Sequence, residues 1–258
     1  LIGNNPASAA YVGSKIKACA ECGIESIERT ADSDISESEL LSIINDLNND
    51  ASVHGILVQL PLPDHIDENS IIEAVHPDKD VDGFHPINTG RLVAGSECLA
   101  PCTPAGIPEL ISRSGFTTSG KHAVIIGRSN IVGKPMMNIL VQKAENANCT
   151  VTCCHSGTPD LAVHTKQADI LIAAIGVADF VTADMVKPGA LVIDVGINRV
   201  PAAEEGKTRV VGDVAFAEAI EVAGAITPVP KGVGPMTIAC LLQNTLTACK
   251  RQNGLEVD

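Results

Sequence analysis

The stretch "VIIGRSNIVGKP" (124–135) runs from three β-branched residues into a polar turn bounded by Gly127 and Gly133. Pro135 then stands where a helix tolerates proline, in its first turn. A buried strand, a glycine turn and a helix start form a phosphate cradle, in which backbone N–H groups and a helix N-terminus face an anion. The spacing is not G-x-G-x-x-G, because Ser129 occupies the middle glycine's place. Taken alone, the motif does not separate a cradle from an ordinary strand-to-helix turn.

What surrounds it makes the distinction. "HAVIIG" (122–127), "TVTCC" (150–154), "DILIAAIG" (169–176), "ALVIDVG" (190–196) and "GAIT" (224–227) are short apolar runs, each stopped by glycine or a polar residue. Their alternation with helical spacing predicts a parallel sheet covered by helices on both faces, a Rossmann-type α/β domain. In NAD enzymes an acidic residue after the second strand usually holds the ribose 2′-hydroxyl. Here that strand ends "CCHSGT", with His155 and Ser156 and no acid, while Arg128 follows the first strand directly. An arginine and a serine in place of a carboxylate suit a 2′-phosphate, so NADP is expected rather than NAD; a solvated loop arginine is the plain alternative.

Upstream, residues 7–22 have helical periodicity, with Gly23 as a stop. Tyr11, the one tyrosine of the chain, and Lys15 lie four residues apart and share an edge of that helix, beside the apolar stripe of Val12, Ile16 and Cys19. "SESELLSIINDLNND" reads as a second amphipathic helix. "VHGILVQLPLP" (53–63) reads as a buried strand ended by Pro61 and Pro63, with Gln59 near its carboxyl end, where open α/β sheets bind ligands. "HPDKDVDGFHP" (76–86) is a turn-rich loop holding Asp78, Asp80 and Asp82. "CTPAGIPELISRSG" reads as a connecting helix, and "MTIACLLQNTLTACKRQ" as a closing one. The expected organisation is two α/β domains: residues 1–118 together with 235–258, and a Rossmann domain over 119–234.

Composition narrows the function. A net charge of −13 over 258 residues argues against nucleic acid or an anionic membrane as the main partner. No stretch is long and apolar enough to span a bilayer. The nine cysteines are odd in number and scattered through a long chain, which points to a reduced, cytoplasmic setting rather than a disulfide framework. Cys19 and Cys22 form a C-x-x-C inside a helical pattern with no second pair, and read as small helix residues. His54, His65, His76 and His85 lack metal-ligand spacing, so no metal is expected.

Seven segments in order, "ASAAYVGSKIKACAECGI" (7–24), "GILVQLPLP" (55–63), "DKDVDGFHP" (78–86), "PCTPAGI" (101–107), "IIGRSNIVGKP" (125–135), "VIDVGIN" (192–198) and "PVPKGVGPMT" (228–237), resemble the bifunctional methylenetetrahydrofolate dehydrogenase/methenyltetrahydrofolate cyclohydrolase family over essentially the whole chain. The resemblance implies an NADP-dependent oxidation of 5,10-methylenetetrahydrofolate and hydrolysis of the methenyl product to 10-formyltetrahydrofolate, by a cytoplasmic homodimer. It puts the family's essential lysine at Lys15, its pterin-stacking tyrosine at Tyr11, the lysine's glutamine partner at Gln59 and the pterin-anchoring aspartate at Asp82. Val58 and Leu60, with Pro230, Lys231, Gly232, Val233 and Gly234, fall in the substrate wall. Gly127, Arg128, Ser129, Ser156 and Ile197 fall on cofactor positions, and folate and NADP are expected to share a cleft between the domains.

Each assignment has a plainer competitor. Tyr11 can be helix packing, Lys15 a surface charge, Asp82 a turn former and Gln59 a strand-end cap. The sequence also departs from the family. Leu1 to Gly3 resemble the end of a strand that a preceding segment would begin, and a targeting segment before Leu1 is left open. Lys231 stands where the family usually has glycine, which costs on the order of 1 kcal/mol if the site needs a positive φ. A further reading has Lys231 reach the glutamate carboxylate of the substrate. Two rivals stand beside the enzyme reading: a shikimate-type two-domain dehydrogenase, and a folate- or nucleotide-binding protein without turnover.

Overall fold

The computed structural model describes residues 1–202 and 206–256, and the chain divides into two compact units. The first gathers Leu1–Arg91, Ser96–Ala100 and the C-terminal residues from Cys240 onward. Its opening helix α1 (Pro6–Glu21) begins where Asn5 accepts hydrogen bonds from the Ala7 and Ser8 amides, with proline at the first position. It stops at Gly23, whose φ of 72° suits glycine. Helix α2 (Glu37–Asn49) starts with a reciprocal capping box between Ser36 and Glu39 and buries Leu40 and Ile44. These two pack with Ile2, Ile56, Val75 and Ile71, the last on the short helix α3 (Glu68–Ala74). Helix α4 (Pro86–Val93) follows the aspartate-rich turns.

Two charged residues hold this unit's loops. Lys79, 7% exposed, donates to the carbonyls of Leu47 (3.0 Å), Asn48 (2.8 Å) and Asp50 (2.8 Å), satisfying the end of α2 where its helical bonding runs out. Asp80 accepts from the amides of Gly83, Phe84 and His85 and from Asn88 Nδ2. The segment 53–63, expected as a strand, is extended chain instead. It makes one parallel bridge, Ile56 to Asp80, and has no ladder. Pro61 and Pro63 carry no N–H with which a ladder could be continued.

The second unit holds the expected parallel sheet. Helix α5 (Cys102–Arg113) leads into β1 (His122–Ile126), α6 (Gly133–Leu140) and β2 (Thr150–Cys154). Then come α7 (Leu161–Thr165), β3 (Ile170–Ala173), a 3₁₀ turn (Ala183–Met185) and β4 (Leu191–Asp194). The hairpin β5 (Asn198–Pro201) and β6 (Thr208–Val211), α8 (Phe216–Ala219), β7 (Ala225–Ile226) and the first part of α9 (Val233–Gln252) complete it. Strand order is β2-β1-β3-β4-β7, all parallel. Successive residues of β1 face opposite layers: Ile125 packs with Ile107, Met136 and Leu140, whereas Val124 and Ile126 pack with Val181, Val186 and Ala219. Burial on both faces explains why these strands read as unbroken apolar runs.

Two features differ from the sequence reading. The antiparallel pair β5–β6 was not expected; its strands are mostly exposed, with alternation too short to register and a proline at one end. The units also divide at Ala100/Pro101 and Ala239/Cys240 rather than at 118/119 and 234/235. Ile107 and Ile111 of α5, and Val233 at the start of α9, share one core with Ile125, Ile172 and Ile193, so burial carries them into the second unit. The later half of α9 belongs to the first unit, where Asn244 Nδ2 donates to the carbonyls of Val81 (2.9 Å) and Ala100 (2.8 Å). None of the nine cysteines is in a disulfide.

Lys231 has a φ of 84°, in the left-handed region where a Cβ is penalised. Lys231→Gly is therefore expected to stabilise the protein by on the order of 1 kcal/mol, read as a higher urea midpoint at unchanged slope.

Candidate active site

In the first unit the residues singled out in sequence come together around one amine. Lys15 is 8% exposed, although it carries a charge on a helix that is mostly solvent-facing. Its Nζ lies 3.1 Å from Gln59 Oε1 and 4.6 Å from the centroid of the Tyr11 ring, a cation–π distance. Gln59 is itself oriented: its Nε2 donates to the Leu60 carbonyl at 2.8 Å, which turns its oxygen toward the lysine. A neutral acceptor thus holds the amine without adding a counter-charge.

Asp82 belongs to the same electrostatic neighbourhood. Burial pushes its carboxyl up to about 6; the nearby Lys15 charge opposes that rise and the Asp80 carboxylate adds to it. A shallow depression open to solvent is lined by Asp82, Val58, Leu60 and Phe84. Tyr11, Lys15 and Gln59 do not line it, so the candidate site is defined by the side-chain constellation rather than by the depression. Asp80, two residues away, was not singled out in sequence; its carboxylate shapes the turn that carries Asp82. The alternation D-x-D-G was the available signal, since a turn aspartate that accepts several amides sits directly before the glycine turn it closes.

The residues expected at cofactor positions all lie in the second unit, at the carboxyl edge of the sheet. A Cβ on Gly127 would run into the Ala174 carbonyl, and one on Gly133 into that of Gly127, so the turn after β1 admits only glycine at both places. The first amides of α6 are already used: Ser129 Oγ accepts from Val132 (3.1 Å) and Gly133 (3.3 Å), and the Ser129 carbonyl from Lys134 (3.0 Å). Ser129 therefore caps the helix, and the expectation of a helix N-terminus open to an anion is not met at those amides. Arg128 and Ser156 are better placed. Ile126 pairs with Cys154, so these two exposed residues leave neighbouring strand ends at matching positions. The Arg128 charge also reaches Cys153, where it partly offsets the effect of burial, which raises the thiol.

Ile197 follows β4 and is 65% exposed. Of the segment expected in the substrate wall, Pro230 and Lys231 are exposed, Gly232 lies where a Cβ would meet the Pro228 carbonyl, and Gly234 falls in the first turn of α9. Val233 is 5% exposed, and its side chain packs in the core with Ile107 and Ile193.

The catalytic-domain model of tetrahydrofolate dehydrogenase/cyclohydrolase matches residues 1–82, and that family's NAD(P)-binding domain model matches residues 101–253. The chain belongs to the tetrahydrofolate dehydrogenase/cyclohydrolase family. It is 58% identical over 258 residues to the bifunctional protein FolD of Chlorobium chlorochromatii, covering 99% of this chain and 88% of that relative. A crystal structure of the bifunctional FolD enzyme from Campylobacter jejuni is similar with a TM-score of 0.90 at 53% identity, over 97% of this chain and 86% of that one. The Trypanosoma brucei FolD enzyme, complexed with NADP cofactor and inhibitor, gives a TM-score of 0.90 at 38% identity, over 97% and 84%. Both halves of the chain match one family, which sets aside the shikimate-type alternative.

The raised Asp82 carboxyl has a consequence for stability. Its folded value of about 6 exceeds the ordinary 3.8, so the folded state holds the proton more tightly than the unfolded chain. The stabilisation is complete below the ordinary value and is lost as pH rises through about 6. Asp82→Asn removes this titration. Unfolding midpoints of wild type and variant measured between pH 4 and 8 should show wild type losing ground to the variant as pH rises, by on the order of 1 kcal/mol or more.

Proposed function

We propose that this chain oxidises 5,10-methylenetetrahydrofolate with NADP and hydrolyses the methenyl product to 10-formyltetrahydrofolate, with Lys15 at the centre of the second step. The observation that carries the reading is the nearly buried Lys15 amine, 3.1 Å from Gln59 and stacked against the chain's one tyrosine, in a protein whose two halves match this family.

When bound, the nicotinamide supplies the hydride acceptor. Loss of hydride from a carbon between two nitrogens leaves an amidinium cation and releases no proton, so the first step asks this chain only to bind and orient. Tyr11 offers a flat face to the pterin. Asp82, as the carboxylate, accepts hydrogen bonds from the pterin's amino and ring N–H groups. Addition of water to the cation is the step that needs a base. In its neutral amine form, Lys15 takes the water's proton at Nζ and becomes the ammonium, and Gln59 Oε1 keeps that atom aimed at one place through the transfer. Arg128 and Ser156, on adjoining strand ends with no acid beside them, would hold the 2′-phosphate of NADP, and the tight turn at Gly127 and Gly133 keeps side chains out of the dinucleotide's path. The presence of NADP in the Trypanosoma brucei relative supports the choice of cofactor.

Lys15→Met separates the two activities. Hydrolysis of methenyltetrahydrofolate, followed by its absorbance, should fall by roughly 10²–10⁴-fold, while NADPH formation from methylenetetrahydrofolate persists. Equal loss of both rates would remove the proposed base; absence of both reactions in wild type would leave a binding protein without turnover. Arg128→Ala should raise the KM for NADP by about 10–100-fold and leave that for NAD nearly unchanged.

A further inference from the structure

At the carboxyl edge of its sheet the second unit buries two carboxylates side by side, and the chemistry above uses neither. Asp194, the last residue of β4, is 2% exposed, and Asp213, just past β6, is 0% exposed. Asp194 Oδ1 accepts from the amides of Gly196 (3.0 Å) and Asp213 (2.8 Å), and its Oδ2 from Val214 (3.0 Å). Asp213 Oδ2 accepts from the amides of Ile175 (2.7 Å) and Gly176 (3.0 Å), and its Oδ1 from Asn198 Nδ2 (2.9 Å). Three loops, those after β3, β4 and β6, converge on the pair. They approach so closely that a Cβ on Gly196 would run into the Asp213 carboxylate, and one on Gly212 into that of Asp194.

Two like charges out of water repel each other and are costly to bury. What a carboxylate provides in return is several acceptor positions on one small group. Asp213 directs them at the loop after β3 and at Asn198, the first residue of β5, which follows the loop after β4 directly. Ala173 of β3 pairs with Asp194 of β4, so those loops leave the sheet from neighbouring positions. Directly beyond the tethered groups stand Val177 and Ile197, 50% and 65% exposed. Aliphatic side chains held in solvent on a braced backbone offer an apolar surface to a planar ring.

Resting on the reading that this edge takes the dinucleotide, we propose that Asp213 is a positioning residue that locks the loops after β3 and β4 in the arrangement receiving the nicotinamide half of the cofactor. Asp213→Asn places an amide N–H against donors on one side or the other and so releases one of the two loops. Its test uses the full chain. The dissociation constant for NADP, measured by calorimetry, should rise by about tenfold, and hydrogen exchange over residues 174–178 should accelerate. Hydrolysis of methenyltetrahydrofolate supplied without cofactor should stay within about twofold of wild type.

Unchanged NADP affinity in a folded variant overturns the proposal, as does a parallel fall in cofactor-free hydrolysis, which marks a merely structural role. Should Asp213→Asn not fold, Asn198→Ala removes one donor and leaves both carboxylates in place. It is expected to weaken NADP binding by about threefold or more, and unchanged affinity there overturns the proposal equally. Wild type failing to bind NADP would remove the cofactor reading itself, whereas a binding wild type with an indifferent variant removes only the positioning role.

Discussion

The first unit is organised around the need to keep a lysine amine almost out of water. A buried ammonium is costly unless its donors find acceptors, and a carboxylate partner would tie it into an ion pair. Gln59 resolves this with a neutral oxygen at 3.1 Å, and Tyr11 adds the negative face of a ring at 4.6 Å. The arrangement constrains its surroundings. Helix α1 must start and stop so that positions 11 and 15 share an edge, which the Asn5 cap and Gly23 arrange. The chain through Gln59 must pass beside that edge without being drawn into a ladder. Asp82 must lie near enough for the Lys15 charge to restrain its carboxyl, which burial and Asp80 together raise.

Elsewhere the protein uses buried charge in another way, to fix loops. Lys79 ends α2 by capturing three carbonyls, and Asp80 closes the turn that carries Asp82 by accepting from four donors. Asp194 and Asp213 do the same for the loops at the carboxyl edge of the sheet. In each case a charged group of small volume collects backbone groups that no regular element satisfies. The loops so fixed carry Asp82 on one unit and the exposed Ile197 on the other.

Much of this was readable in the chain. The apolar runs ended by glycine became β1, β2, β3, β4 and β7, because strands buried on both faces must be apolar at every position. Helices α1 and α2 were marked by their helical periodicity, and α1 also by the stop at Gly23. Tyr11, Lys15, Gln59 and Asp82 were marked by residue type and by the company of the other segments, and the first three meet in space. The hairpin β5–β6, the structural duty of Asp80 and the Asp194–Asp213 pair left little trace, since an aspartate after an apolar run reads equally as a strand stop.

The sequence by itself determined the periodicities, the glycine turn after the first apolar run, and the types of residue that chemistry on a folate cation requires, because these follow from local backbone preference and from side-chain chemistry. Tertiary structure alone decided which acceptor each buried charge would meet. It gave Ser129 to the helix cap instead of leaving its amides to an anion, turned Val233 into the core, and kept 53–63 out of a sheet. Those outcomes depend on groups distant in the chain arriving at hydrogen-bonding or packing distance, and neither spacing nor composition encodes that arrival.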